Sequence, residues 1–113
     1  MTFDEYQKQA LTTAFVDEKY QGTLMENTIW AMGVAGEAGE VLEKWKKIVA
    51  YKAGDITEEE RAELGKELAD VVWYVAVLAQ GLGLSFDDVM AKNVQKLKSR
   101  QARGKIKGAG DNR

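Results

Sequence analysis

The amino-acid sequence predicts an all-α fold, a four-helix bundle, on three observations. The chain of 113 residues contains no proline and shows none of the regularly spaced hairpin turns of an all-β protein. Its apolar residues recur at three- and four-residue spacing, the period of a helix with one buried face. Three stretches open with a Ser or Thr followed three residues later by an acid, the pattern that satisfies the free N–H groups of a helix start: Thr2 with Glu5, Thr57 with Glu60, and Ser85 with Asp88.

The first helix opens at Thr2 and is expected to reach about Tyr20, burying Phe3, Tyr6, Ala10, Leu11, Ala14 and Phe15. The second starts between Thr23 and Asn27 and runs to about Tyr51. The third runs from Thr57 to about Leu82, where Gly81 and Gly83 stop it, and the fourth from Ser85 to about Gln101. The short joints "YQGT", "YKAGDITEE" and "GLGLSFDD" make successive helices antiparallel neighbours in a compact bundle. The third helix is apolar nearly all round, so it should be central or face a partner subunit; Trp73, off its main stripe, favours the partner. Residues 1–100 read as one domain. Residues 101–113 read as a basic, disordered tail that solubilises the chain or weakly grips a phosphate-bearing partner. That tail sets Arg103, Lys105, Lys107 and Arg113 against Asp111, a net of +3, which leaves −5 for the rest of a chain whose total is −2.

Hydrophobic residues at 45% and charged residues at 30% are ordinary globular values. The absence of cysteine excludes disulfides, thiolate nucleophiles and thiolate metal sites, and the absence of histidine excludes an imidazole base or zinc ligand. Chemistry would fall to carboxylates, Lys, Arg, Tyr or a hard metal. The start "MTFDEYQKQA" resembles neither a signal nor a transit peptide, and the longest apolar run, Val71 to Ala79, is well short of the roughly 20 residues of a membrane span. The chain therefore reads as soluble and cytoplasmic, with no membrane or nucleic-acid partner.

Helical geometry places the acids. Advancing about 100° per residue from Glu37, the residues Val34, Ala38, Val41, Trp45 and Ile48 fall on a core face, while Gly33, Glu37, Glu40 and Lys44 form a stripe along its edge. The third helix repeats the arrangement, with Leu64, Val71, Val75 and Leu78 on the core face and Glu63, Glu67, Asp70 and Tyr74 at its margin. One such acid pair is commonly a solvated surface, as when Glu40 pairs with Lys44. Asp70 stands out because it interrupts "ELADVVWYVAVLA", whose neighbours call for burial. Four converging carboxylates need cations among them, and oxygen-only ligands suit magnesium or manganese. On the fourth helix Asn93, Lys96 and Arg100 line one strip, either an exposed basic helix end or a set of phosphate contacts.

The stretches "GEAGEVLEKWKK" and "ELADVVWYV" resemble those of the MazG-like nucleotide pyrophosphohydrolases, within the all-α NTP pyrophosphatase superfamily. The mark of that family is Glu-Glu-x-x-Glu, a variable gap, then Glu-x-x-Asp. The resemblance runs from about Ile29 to Arg100 and includes "NVQKLKSR" as the final helix. It implies that Glu37, Glu40, Glu67 and Asp70 hold Mg2+, with Mn2+ a possible substitute, and that Glu37 or Glu40 orients the attacking water or takes its proton. It implies triphosphate contacts at Lys44 or Lys47, Lys96 and Arg100, a nucleotide contact at Asn93, and packing of Tyr74 on the base or sugar. Gly36 stands where the family has the first glutamate of its pair, which puts an additional metal site in doubt.

The implied activity converts an NTP or dNTP and water to the monophosphate and pyrophosphate, as house-cleaning of non-standard or surplus nucleotides, in a homodimer or homotetramer. Alternatives are a non-catalytic helical interaction module, and a nucleotide-binding relative acting on another ligand such as phosphoribosyl-ATP. Three glycines interrupt the second helix despite a cost of roughly 1 kcal/mol each relative to alanine. Gly33 and Gly36 are expected to leave room for metal and phosphate, and Gly39 to admit another helix closely.

Overall fold

A computed structural model describes residues 1–113. It is all-helical: α1 (Phe3–Leu11), a 3-10 turn (Glu18–Tyr20), α2 (Leu24–Lys52), α3 (Glu58–Gly81) and α4 (Phe86–Ala102). The cap signals act as their sequences require. The hydroxyls of Thr2 and Thr57 accept from the N–H of Glu5 and Glu60, whose carboxylates reach back to the cap N–H, and Ser85 Oγ accepts from Asp88 N.

α1 ends at Leu11, not near Tyr20. The cause is two adjacent threonines: Thr12 Oγ1 donates to Gln9 O, and Thr13 Oγ1 to Ala10 O 3.1 Å away, competing with the backbone for the carbonyls of the last turn. Phe15 consequently lies outside the helix, 81% exposed.

The long helices α2 and α3 pair antiparallel, and their contacts run in opposite order along the two: Asn27 with Gly81, Gly33 with Tyr74, Lys44 with Glu67, Lys52 with Glu60. α3 is the central helix, packed by α1, α2 and α4. The core gathers Ala10, Trp30, Ala76, Val77 and Phe86. Trp73 does not wait for a partner chain. It is half-buried edge-on against Trp30 at 5.8 Å, and its indole N–H donates to Thr13 Oγ1 at 3.1 Å. Trp45, expected on the core face, is 44% exposed.

α4 leaves α3 at 105°. Buried Gln7 of α1 fixes that corner: its amide N–H donates to Ala76 O and Leu84 O, and its amide oxygen accepts from Phe86 N. Asp4 holds the same corner from outside, accepting from Ser85 Oγ and from Asp87 N at 2.9 Å. α4 therefore packs on α1 and α3 and makes no contact with α2. After α4 the tail is a series of turns folded back on it through Asp111. No single helix is long and apolar enough to cross a membrane.

The Asp87 N–H and the Ser85 hydroxyl hold the Asp4 carboxyl below the ordinary aspartate range. With the folded value depressed, the stabilisation is full at neutral pH and fades as pH falls through that value. Asp4→Asn is thus expected to lower the thermal midpoint at pH 7, with the difference shrinking as the pH is lowered into the acid range, as followed by circular dichroism.

Candidate active site

The site lies where Glu37 of α2 faces Glu67 and Asp70 of α3. One carboxylate oxygen from each lies within 4.8 Å of the other two. Three carboxylates at that spacing repel one another. Burial first, and then the charges of Asp70, Glu67 and Glu40, push the Glu37 carboxyl above the ordinary glutamate range. The donor set fits a hard divalent cation: oxygen-only, anionic, and spread over two rigid helices.

Gly33, one turn before Glu37, sets the helix spacing at this point. Its expected job, leaving room for metal and phosphate, is corrected by the structure. A Cβ there would lie 2.6 Å from Tyr74 Cζ, so the Tyr74 ring occupies the notch. Tyr74 also stands edge-on to Trp73 at 4.8 Å and tilted to Trp30 at 6.3 Å. The aromatic contact thus draws α2 and α3 together one turn from the carboxylates, and Gly33→Leu would strike stability before activity. Gly36 faces open space, and so does Gly39, which meets no helix of its own chain.

Other expected residues are placed differently. Asp70 is exposed rather than buried, and its charge is felt at Tyr6 of α1. Glu40 is exposed and outside the gathered three, although its charge is felt at Glu37. Lys44 Nζ lies 2.9 Å from Glu67 Oε1 and 3.7 Å from Glu63 Oε2, bridging the helices at the edge of the cluster. The hydrogen bond to Glu67 raises the Lys44 pKa. Lys47 pairs with Glu43 at 3.5 Å, and both lysines line a groove of about 390 Å³ between the end of α2 and the start of α3. Asn93, Lys96 and Arg100 are not brought to the cluster within one chain, because α4 turns away from α2. Asn93 and Lys96 line a separate pocket near Leu84, and both Lys96 and Arg100 are held by Asp111.

Tyr6 of α1 escaped sequence reasoning as a site residue. Its phenol pKa is raised by burial and then by the Asp70 charge. Nothing local marks it, since only the packing of α1 on α3 brings it near.

The family model of the MazG nucleotide pyrophosphohydrolase domain matches residues 26–104. The chain belongs to this family. The matched span of the MazG domain includes every carboxylate of the cluster and the basic strip of α4, and it ends before the last nine residues, 105–113. The chain is also similar to "Gene 37 protein" of Mycobacterium phage L5, 45% identical over 114 residues that span 100% of both chains. No solved structure matches.

The strain on Glu37 has a readout of its own. A carboxyl whose folded pKa is raised destabilises the fold above that value, and the cost is relieved as pH falls through it. Glu37→Gln is expected to raise the thermal midpoint of the metal-free MazG domain at pH 7, with the gain vanishing toward pH 3 in calorimetric scans.

Proposed function

We propose that this MazG domain is a magnesium-dependent nucleoside triphosphate pyrophosphohydrolase, converting an NTP or dNTP and water to the monophosphate and pyrophosphate. The convergence of Glu37, Glu67 and Asp70 across α2 and α3 carries the reading. These three would hold Mg2+, or Mn2+ in its place, and Glu40 stands beside them. The bound ion would supply Lewis-acid polarisation of phosphoryl oxygens and a lowered pKa for water.

The chain's own residues do the rest. Water attacks the α-phosphorus, the bond from that phosphorus to the α–β bridging oxygen breaks, and pyrophosphate leaves. Glu37 or Glu40 orients the water and takes its proton; Glu40, outside the gathered three, has a free carboxylate for that task. Lys44 and Lys47, on the groove next to Glu67, stabilise the charge that develops on pyrophosphate. Tyr74, half-buried one turn beyond Asp70, flanks the base or sugar.

Asn93, Lys96 and Arg100 can serve as substrate contacts only if another chain presents its α4, so a homodimer or homotetramer belongs to the proposal. An exposed face on α2 supports it: Met32, Ala35, Gly39 and Leu42 follow coiled-coil spacing, which Lys46 interrupts before Val49. Light scattering at a clean monomer mass would contradict this part. The role that fits is removal of non-standard or surplus nucleotides.

A pyrophosphate-release assay over the eight standard NTPs and dNTPs with magnesium tests the activity. Release from at least one is expected. Silence throughout, with no magnesium binding by calorimetry, would leave a helical interaction module. Nucleotide binding without release would leave a relative acting on another ligand, such as phosphoribosyl-ATP.

A further inference from the structure

The end of the chain places its single nearby acid on its most enclosed cation. From Lys92 to Arg113 the only carboxylate side chain is Asp111. The chain reverses after α4 at Gly104, whose φ of 67° favours glycine, and Lys105 N donates to Arg100 O at 2.7 Å. A second reversal at Gly110, φ 81°, brings Asp111 back. Its Oδ1 lies 2.7 Å from Lys96 Nζ and 3.0 Å from Arg100 Nη2, and its backbone carbonyl also accepts from Nη2. Arg113 closes the loop by donating to Lys105 O at 2.9 Å and Ile106 O at 3.0 Å.

The fit is incomplete. The Arg100 side chain is only 6% exposed, yet its Nε is buried without a hydrogen-bond partner. Asp111 engages Nη2 alone, whereas a guanidinium fork offers parallel donors that a phosphoryl group can fill together. Asp111 itself is 75% exposed, and such pairs hold weakly. Lys96 first and Arg100 second keep its carboxyl below the ordinary aspartate range, so it is charged at neutral pH. The match to the MazG domain stops at Gly104, so residues 105–113 lie beyond the matched span.

We propose that residues 105–113 form a displaceable strap, in which Asp111 occupies an anion site made by Lys96 and Arg100 until a pyrophosphate group of a ligand replaces it. The strap regulates access to residues assigned above as phosphate contacts, and so rests on that reading.

Calorimetric titration of the full chain with inorganic pyrophosphate, in EDTA so that no metal contributes, tests it. Asp111→Asn is expected to bind about tenfold more tightly than wild type, the scale of one charge-assisted contact no longer competing. Adding Lys96→Ala to Asp111→Asn should cancel that gain, with circular dichroism checking that both variants keep their helicity. Equal affinity in wild type and Asp111→Asn overturns the strap, as does a gain that survives Lys96→Ala. The two readings separate in the nucleotide assay. Tightened pyrophosphate binding without turnover of any nucleotide supports the strap and removes the enzyme; turnover with affinity indifferent to Asp111→Asn removes the strap alone.

Discussion

Asp70→Asn is expected to lower pyrophosphate release by more than about a hundredfold, since changes merely in the outer shell of metal sites already cost ten- to a hundredfold. The substitution keeps the shape of the side chain and removes its charge from a group of three whose oxygens gather within 4.8 Å. A neutral amide is a poorer partner for a hard divalent cation than a carboxylate. Asp70 is exposed, so its replacement leaves no cavity. It also relieves repulsion at Glu37, whose raised pKa owes part of its shift to Asp70. The variant should therefore show wild-type helicity and a metal-free stability at least equal to wild type, together with lost turnover. Steady-state assays and circular dichroism on the same preparation check both halves. Turnover within a few-fold of wild type would remove Asp70 from the site.

Gly33→Ala carries the largest expected effect on stability. Alanine is ordinarily the better helix former by roughly 1 kcal/mol. Here its methyl carbon would lie 2.6 Å from Tyr74 Cζ, in a ring already braced by Trp73 and Trp30. Overpacking of this kind costs about 1–3 kcal/mol, and each kcal/mol lost moves the thermal midpoint of a domain this size by about 4 °C. Gly36→Ala and Gly39→Ala meet open space and should instead be neutral or stabilising in the isolated chain. Urea unfolding of the three variants checks the contrast. A Gly33→Ala protein as stable as Gly36→Ala would mean that the Tyr74 ring does not occupy the notch.

The legible features were those set by neighbours in sequence. Caps act over three residues, so the starts of α1, α3 and α4 could be read directly. Helical periodicity fixes which side chains share a face, so Glu37 on one helix and Glu67 with Asp70 on another could be expected to meet. What escaped depends on contacts between distant segments. Gly33 looked anomalous in sequence, but its reason lies in a tyrosine on another helix. The direction of α4 is decided by a corner that Gln7 and Asp4 hold from α1, and no period in α4 reports it. The basic strip was legible as a strip, yet its occupant, Asp111, arrives through two reversals in a segment that composition alone marks as disordered. Apolar spacing alone carries α1 too far, because it continues past Thr12 and Thr13, whose hydroxyls end the helix.

In the function proposed above, the α2–α3 carboxylates would hold a divalent metal that supports cleavage between the α and β phosphates. Phosphorus NMR of a nucleoside triphosphate mixed with the full chain tests it most directly, first with magnesium and then with EDTA in excess. The expected result is loss of the three triphosphate signals with the growth of monophosphate and pyrophosphate, arrested by EDTA and restored by added magnesium. Appearance of a diphosphate with orthophosphate, or cleavage indifferent to EDTA, would contradict it.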